Sequence, residues 1–136
     1  MASAASNDFQ RDAHVKRVIL MVEDEVIIRS VVAEHLRDVN FTVIEAANAA
    51  EAIAVLSSQT HVDLVFSDIT MPGELDGVGL ARWIADRRGE IPVLMTSGAA
   101  VLDWSGPFSR LPFVRKPYGL EDIEERIRKL LAQYSQ

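Results

Sequence analysis

Short apolar runs alternate with amphipathic segments along this chain, and that alternation constrains its fold more than any other feature. Residues 18–22 read VILMV, a continuous apolar run typical of a strand buried on both faces. From Ile28 to Val39, apolar residues recur at three- and four-residue steps, which indicates an amphipathic helix. Alternation of this kind predicts parallel strands joined by right-handed helical crossovers. We therefore expect an α/β fold, a doubly wound five-stranded parallel sheet with helices on both faces.

The other elements follow from the same reasoning. Strands are predicted at residues 41–46, 64–68, 91–96 and 111–115, and helices at residues 48–58, 77–88 and from residue 120 onward. Between Gly98 and Leu111 the pattern weakens. Residues 99–104 allow one or two helical turns, but Pro107 lacks a backbone donor and clashes with the preceding turn. We expect the fourth helix, in this segment, to be short, distorted or absent.

Composition narrows the class of protein. A chain of 136 residues predicts one domain, here residues 16–136, preceded by a flexible N-terminal arm at residues 1–15. The absence of cysteine excludes disulfides and thiolate metal sites. A net charge of -6 argues against direct binding of nucleic acid. No secretory signal or membrane-spanning run is present, so we expect a cytoplasmic protein without a membrane partner.

Polar residues follow the predicted strands at the same end. Glu23 and Asp24 follow the first strand, Asp68 ends the third, Thr96 ends the fourth, and Lys116 follows the fifth. Because parallel strands share one carboxyl edge, these side chains should meet in one crevice.

These groups suit phosphoryl transfer. Three carboxylates in one crevice repel each other unless a cation offsets them, and ligands that are all oxygen favour Mg²⁺ or Mn²⁺. A carboxylate can attack phosphorus to give an aspartyl phosphate, and the reaction then depends mainly on charge neutralisation. We expect Asp68 to be the acceptor, Lys116 to supply positive charge, and Thr96 to donate a hydrogen bond to the phosphoryl group.

Five motifs together resemble the receiver, or response regulator, domain of two-component signal transduction. The resemblance covers about residues 17–133. It implies the doubly wound strand order 2-1-3-4-5, which is a known example of this fold class. The motifs are VILMVEDE at residues 18–25, SDITMP at 67–72, DG at 76–77, PVLMTSG at 92–98 and FVRKPY at 113–118.

The resemblance implies a role for each matching acid. Asp68 matches the phosphoacceptor of the family. Asp24 matches the principal metal-binding carboxylate, and Glu23 matches its acidic neighbour, which acts on the metal through water. Thr70 matches the position whose backbone carbonyl binds the metal, and Asp68 completes the set of metal ligands.

It also implies roles on the later strands. Thr96 matches the switch hydroxyl and Ser97 the small residue that leaves the site open. Lys116 matches the phosphate-pairing lysine, and Pro117 the proline that usually follows it through a cis peptide. Phe113 matches the aromatic switch, although it lacks the hydroxyl of a tyrosine, so any switching by this side chain depends on packing alone.

We expect a stand-alone receiver, since no output domain follows the last predicted helix, and the resemblance implies that it accepts a phosphoryl group from the phosphohistidine of a histidine kinase or histidine phosphotransfer protein. Such a domain is not an enzyme in the usual sense, but it catalyses its own phosphorylation and dephosphorylation. It would signal by contact with an unknown downstream protein or by phosphorelay. The weakened 98–111 segment, with SRLP at residues 109–112 in place of the usual Gly-Ala, argues against a standard family dimer.

Two alternatives remain open. A pseudo-receiver would keep the fold as a binding module without being phosphorylated. A haloacid-dehalogenase-like phosphatase also uses a strand-end aspartate, a lysine and Mg²⁺, but that family requires an acid two residues after the nucleophile, where this chain has Thr70.

Overall fold

A computed structural model describes residues 15–71, 73, 75–98 and 110–134. Within these ranges the chain forms five strands and four helices. The strands are β1 (Val18–Val22), β2 (Thr42–Ala46), β3 (Leu64–Asp68), β4 (Val93–Ser97) and β5 (Phe113–Arg115). The helices are α1 (Val26–Asp38), α2 (Ala49–Ser57), α3 (Gly77–Arg87) and α4 (Leu120–Tyr134).

All strand pairs are parallel, and the sheet order is β2-β1-β3-β4-β5, which confirms the predicted fold class. β1 lies between β2 and β3, and β3 lies between β1 and β4. In the register of β3 and β4, Asp68 lies opposite Thr96. In the register of β4 and β5, Ser97 lies opposite Arg115. The carboxyl ends of four strands therefore lie next to one another at one edge.

Each face of the sheet has its own hydrophobic core. Side chains alternate across β1, so Ile19 and Met21 pack on one face while Leu20 and Val22 pack on the other. The first face is covered by α1 and α4, and the second by α2 and α3. All four of these strand residues are completely buried, which accounts for the continuous apolar run in the sequence.

Local signals set most element boundaries. Asn48 caps α2 by accepting a hydrogen bond from the Glu51 backbone N–H at 2.8 Å. In return, the Glu51 carboxylate accepts from the backbone N–H of Ala47, at 2.7 Å, rather than from Asn48 itself. Asn40 follows α1 with a φ of 82°, a left-handed conformation that asparagine tolerates at a helix end.

Two strands begin two residues later than predicted. β4 begins at Val93 rather than at residue 91, and β5 begins at Phe113 rather than at residue 111. In each case a proline, Pro92 or Pro112, immediately precedes the strand and has no N–H to donate to the ladder.

Two predictions concern residues outside the described ranges. The short or distorted fourth helix falls within residues 99–109, and the N-terminal arm falls almost entirely within residues 1–14. In the described part of the chain, no helix combines the length and the apolar character needed to cross a bilayer.

Candidate functional site

The polar strand ends meet in a crevice of about 320 Å³ at the carboxyl edge of the sheet. Each side chain arrives from a different part of the chain: the acidic pair from the β1–α1 loop, Asp68 from β3, and Lys116 from the segment after β5. The predicted convergence of these segments is therefore present in the structure. The crevice is lined by Asp24, Glu25, Asp68, Thr70, Ser97, Gly98 and Lys116.

Asp68 lies at the floor of the crevice and is only 5% exposed. Its Oδ2 atom accepts a hydrogen bond from the Lys116 ammonium at 2.9 Å. Its Oδ1 atom accepts a hydrogen bond from the backbone N–H of Thr70 at 3.1 Å. Both oxygens are therefore held in position by donors on two different segments.

The backbone around Asp68 leaves no room for a side chain at the start of α3. A Cβ on Gly77 would overlap the carbonyl oxygen of Asp68 and would lie 2.6 Å from the Cα of Ile69. The N–H of Gly77 donates to the carbonyl of Ile69 at 2.8 Å. Glycine at this position allows α3 to begin against the segment that carries Asp68.

Lys116 is shared between two acids. Its ammonium lies 2.7 Å from Oε1 of Glu23 as well as 2.9 Å from Oδ2 of Asp68. The contact with Glu23 is an ion pair. Burial opposes the charge on Lys116, but its contacts with Glu23 and Asp68 outweigh that effect and raise the pKa of Lys116. The ammonium is therefore charged at neutral pH.

Glu23 and Asp24 face different surroundings although they are adjacent in the chain. Glu23 is completely buried, and Asp24 is exposed. Burial raises the pKa of Glu23 from its ordinary value of 4.5 to about 7, and the negative charge of Asp68 acts in the same direction, while Lys116 opposes both. Glu23 is thus poised to lose or gain a proton near neutral pH.

The raised pKa of Glu23 predicts a specific pH dependence of stability in EDTA. A carboxyl group whose pKa is higher in the folded state stabilises the fold fully below its unfolded pKa and loses that contribution as pH rises. The free energy of unfolding, relative to a Glu23→Gln variant, should therefore fall as pH rises from about 4.5 through about 7. Urea titrations across this range measure the difference; Glu25→Gln, which changes the neighbouring acid, is the control. A flat difference would contradict the prediction.

Three carboxylates form a group that could hold a metal ion. One oxygen each from Glu23, Asp24 and Asp68 lies within 4.8 Å of the others. All three donors are hard oxygen ligands, which fit a hard divalent cation such as Mg²⁺ or Mn²⁺. Thr70 lines the same crevice. The residues present therefore fit the predicted metal.

Thr96 has a hydroxyl group without a partner. The residue is completely buried, and its Oγ1 atom makes no hydrogen bond within the described part of the chain. Thr96 lies opposite Asp68 in the β3–β4 register, so the two side chains project from the same face of neighbouring strands. Ser97, the next residue, is also buried and lines the crevice. A buried donor without an acceptor, beside the proposed phosphoacceptor, suits a group that binds there later.

The predictions for Pro117 and Phe113 have different outcomes. The peptide between Lys116 and Pro117 is cis, as the resemblance implied. Phe113 begins β5, is half-buried and packs against the core beneath α2 and α3. Its role as a switch stays a prediction.

Tyr118 was not identified from the sequence. Its hydroxyl is buried and has no hydrogen-bond partner among the described residues, and its ring packs 5.7 Å from that of Phe66, centroid to centroid. Burial raises the pKa of Tyr118 to about 12, and the negative charge of Glu23 adds to the effect. The only sequence signal was its place two residues after Lys116, which does not indicate where a side chain points.

A parallel sheet of this order, with an acidic crevice and a lysine at its carboxyl edge, defines a receiver-type signalling domain. The sequence profile of the response regulator receiver domain matches residues 19–128. The chain therefore belongs to the response regulator receiver domain family, which confirms the family predicted from its motifs.

Individual relatives agree with that assignment. The probable transcriptional regulator ycf27 of Cyanophora paradoxa is 32% identical over 121 residues, which cover 85% of this chain and 48% of that protein. A response regulator receiver protein from Sinorhizobium medicae WSM419 has a similar structure, with a TM-score of 0.79 and 27% identity, over 88% of this chain and 97% of that one. The receiver domain of the hybrid histidine kinase CckA is 36% identical, with a TM-score of 0.68, over 84% of this chain and 98% of that one. The chain spans about half the length of the ycf27 regulator and about a quarter of the length of another relative it matches, the DNA-binding transcriptional regulator NtrC of Escherichia coli.

Proposed function

We propose that this receiver accepts a phosphoryl group on Asp68 from the phosphohistidine of a histidine kinase or histidine phosphotransfer protein, with Mg²⁺ bound. One observation carries the proposal: the Asp68 carboxylate is held 2.9 Å from a charged lysine, in an acidic crevice, opposite a buried hydroxyl without a partner. Lys116 can offset the negative charge of a phosphoryl group, and Thr96 can donate a hydrogen bond to it. These roles supply the charge neutralisation and positioning that phosphoryl transfer requires.

In the proposed reaction an oxygen of Asp68 forms a bond to phosphorus while the bond from phosphorus to the donor's imidazole nitrogen breaks. The imidazole keeps the electron pair of that bond. Lys116 moves its hydrogen bond from the carboxylate to a phosphoryl oxygen and offsets the negative charge there. Dephosphorylation is the attack of water on the same phosphorus, with Asp68 as the leaving group.

The metal would be held by Asp24, Asp68 and the backbone carbonyl of Thr70, with Glu23 acting through water. When bound, Mg²⁺ offsets the charge of the carboxylates and of the phosphoryl oxygens. The clustering of three carboxylate oxygens within 4.8 Å supports this assignment. Mn²⁺ offers the same chemistry with the same type of ligand.

The signal would be produced by Thr96. Its hydroxyl is buried and lacks an acceptor, so a phosphoryl oxygen on Asp68 would supply one and pull the end of β4 toward the crevice. Phe113 is opposite Met95 in the β4–β5 register, so a shift of β4 would be felt at the aromatic side chain. This is the proposed route from phosphorylation to a change in packing.

A protein donor is supported by the surface beside the crevice. Val26, Ile27 and Val31 of α1 are exposed by 62%, 78% and 47%. Ile27 and Val31 line an apolar groove of about 530 Å³ that reaches Lys116 and Tyr118. An apolar surface next to a reactive crevice is typical of a protein docking site. A downstream protein partner, stand-alone action without direct nucleic-acid binding, and a cytoplasmic location stay predictions.

Phosphorylation by a small donor tests the proposal directly. After incubation with Mg²⁺ and acetyl phosphate, intact mass spectrometry should show the addition of one phosphoryl group, and hydroxylamine should remove it because hydroxylamine cleaves acyl phosphates. The same incubation in EDTA should give little product. If the protein binds Mg²⁺ and is never phosphorylated, it is a pseudo-receiver, and the proposal is wrong.

A further inference from the structure

We infer that Arg29, which lies outside the crevice, is a positioning residue that fixes the acidic pair for metal binding. This inference rests on the proposed function, because it assigns Arg29 a part in the Mg²⁺ site formed by Glu23 and Asp24. Arg29 itself would touch neither metal nor phosphoryl group.

The guanidinium of Arg29 holds the peptide that joins the two acids. Its Nη1 atom donates to the backbone carbonyl of Glu23 at 2.7 Å, a short charge-assisted hydrogen bond. Its Nε atom donates to the carboxylate of Glu45 on β2 at 3.3 Å. The Arg29 side chain is only 16% exposed, and its hydrogen bond to the Glu23 carbonyl is partly buried.

Two further hydrogen bonds hold the β1–α1 loop, which carries Glu23 and Asp24. The N–H of Glu23 donates to the carbonyl of Ala46 on β2 at 3.0 Å. The N–H of Glu25 donates to the Glu23 carboxylate at 3.2 Å. Together with the hydrogen bond from Arg29 to the Glu23 carbonyl, these contacts fix the orientation of the peptide that joins Glu23 and Asp24. They therefore also fix the Cα positions that carry the two acidic side chains. A metal ligand needs this fixed geometry, and Mg²⁺ tolerates little deviation from octahedral coordination.

A purely electrostatic role and a positioning role of Arg29 predict opposite changes in Mg²⁺ affinity when this residue is replaced. If the guanidinium acted only as a positive charge near a cation site, removing it would tighten Mg²⁺ binding. If it positions the acids, removing it would loosen the Glu23–Asp24 peptide and weaken Mg²⁺ binding. The sign of the change therefore distinguishes a positioning role from a charge effect.

Arg37 supplies a matched control on the same helix. It also contacts Glu45, at 3.1 Å, and it also donates to a backbone carbonyl, that of Val43, at 2.9 Å. Its contacts therefore copy those of Arg29 except for the one to Glu23. An effect that arises only from losing a guanidinium or from disturbing Glu45 should appear equally in both arginine variants.

The experiment measures Mg²⁺ affinity by isothermal titration calorimetry of the full chain without any phosphoryl donor. Arg29→Met should raise the Kd for Mg²⁺ about tenfold, the lower end of the range for residues that support metal ligands. Arg37→Met should leave the Kd near that of the unmodified protein, and Arg29→Lys should restore part of the affinity. Thermal unfolding in EDTA shows whether each variant is folded.

Other outcomes overturn the inference. Tighter Mg²⁺ binding by Arg29→Met, no change, or an equal loss in Arg37→Met would each exclude the positioning role. So would unmodified protein that does not bind Mg²⁺. If Arg29→Met does not fold, Arg29→Lys decides alone: affinity equal to that of the unmodified protein overturns the inference, and a selective loss supports it. Labelling by acetyl phosphate separately tests the proposed function, so the two can fail independently.

Discussion

Replacing Asp68 with asparagine should abolish phosphorylation by acetyl phosphate in the presence of Mg²⁺. The amide oxygen of asparagine is a much poorer nucleophile than a carboxylate oxygen, and an acyl phosphate cannot form on it. The carboxylate of Asp68 lines the crevice and accepts a hydrogen bond from Lys116 at 2.9 Å, whereas Glu23, which also contacts this lysine, is completely buried and does not line the crevice. Intact mass spectrometry should find no protein with an added phosphoryl group.

The folded state should tolerate this substitution. In the unmodified protein, Glu23 and Asp68 share the ammonium of Lys116, and replacement of Asp68 leaves one acid for one base. We expect a free energy of unfolding equal to or about 1 kcal/mol above that of the unmodified protein in EDTA. Urea unfolding measures it, so that loss of labelling cannot be ascribed to unfolding.

Asp122→Asn is the matched control for labelling. Asp122 lies in the first turn of α4, where its side chain is 49% exposed and pairs with Arg126. This variant should be phosphorylated as fully as the unmodified protein. Full, hydroxylamine-sensitive labelling of Asp68→Asn would instead show that the acceptor lies elsewhere.

The fold was predictable because burial on both faces leaves a strong trace in the sequence. The VILMV run of β1 has no polar residue, since each of the two cores needs an apolar side chain from it. The strand starts were less predictable. The apolar character of Pro92 and Pro112 favours a strand, but because proline has no backbone N–H, each strand begins two residues later than predicted.

The site was predictable to the level of which residues meet. Parallel strands bring their carboxyl ends to one edge, so Asp24, Asp68, Thr96 and Lys116 had to be neighbours once the strands were assigned. The pairing among them was not predictable. The contact of 2.7 Å between the Lys116 ammonium and the Glu23 carboxylate depends on how deeply Glu23 is buried. The strand order alone does not determine that burial.

Arg29 and Tyr118 show why the surrounding residues escaped prediction. Arg29 lies on the polar side of an amphipathic helix, a position that in the sequence suggests a solvated charge. Only the packing of α1 against the end of β1 brings its guanidinium to the Glu23 carbonyl. Long side chains reach partners several residues away, and periodicity in sequence carries no information about those partners.

Replacing Lys116 with methionine should destabilise the protein more than any other single change at the site. Lys116 is the cation contacted by both Glu23 and Asp68, which are 0% and 5% exposed, and its loss leaves two buried acids facing each other. Removing one partner of a buried ion pair typically costs about 3–5 kcal/mol. Urea unfolding in EDTA should show a loss of this size, and labelling of the variant by acetyl phosphate should fall sharply because Lys116 no longer offsets the charge of the phosphoryl group.

Lys129→Met, which changes an exposed lysine paired with Glu125 on α4, should leave stability and labelling unchanged.

The cause of the lost stability in Lys116→Met can be identified by neutralising the buried acids that the lysine contacts. Adding Glu23→Gln should recover much of the lost stability, and so should lowering the pH, since protonation removes the uncompensated charge of the buried carboxylates. A Lys116→Met variant as stable as Lys129→Met would mean that the buried acids do not depend on this ammonium. If the variant is unstable and neither Glu23→Gln nor a lower pH restores it, the destabilisation comes from lost packing of the lysine stem rather than from charge.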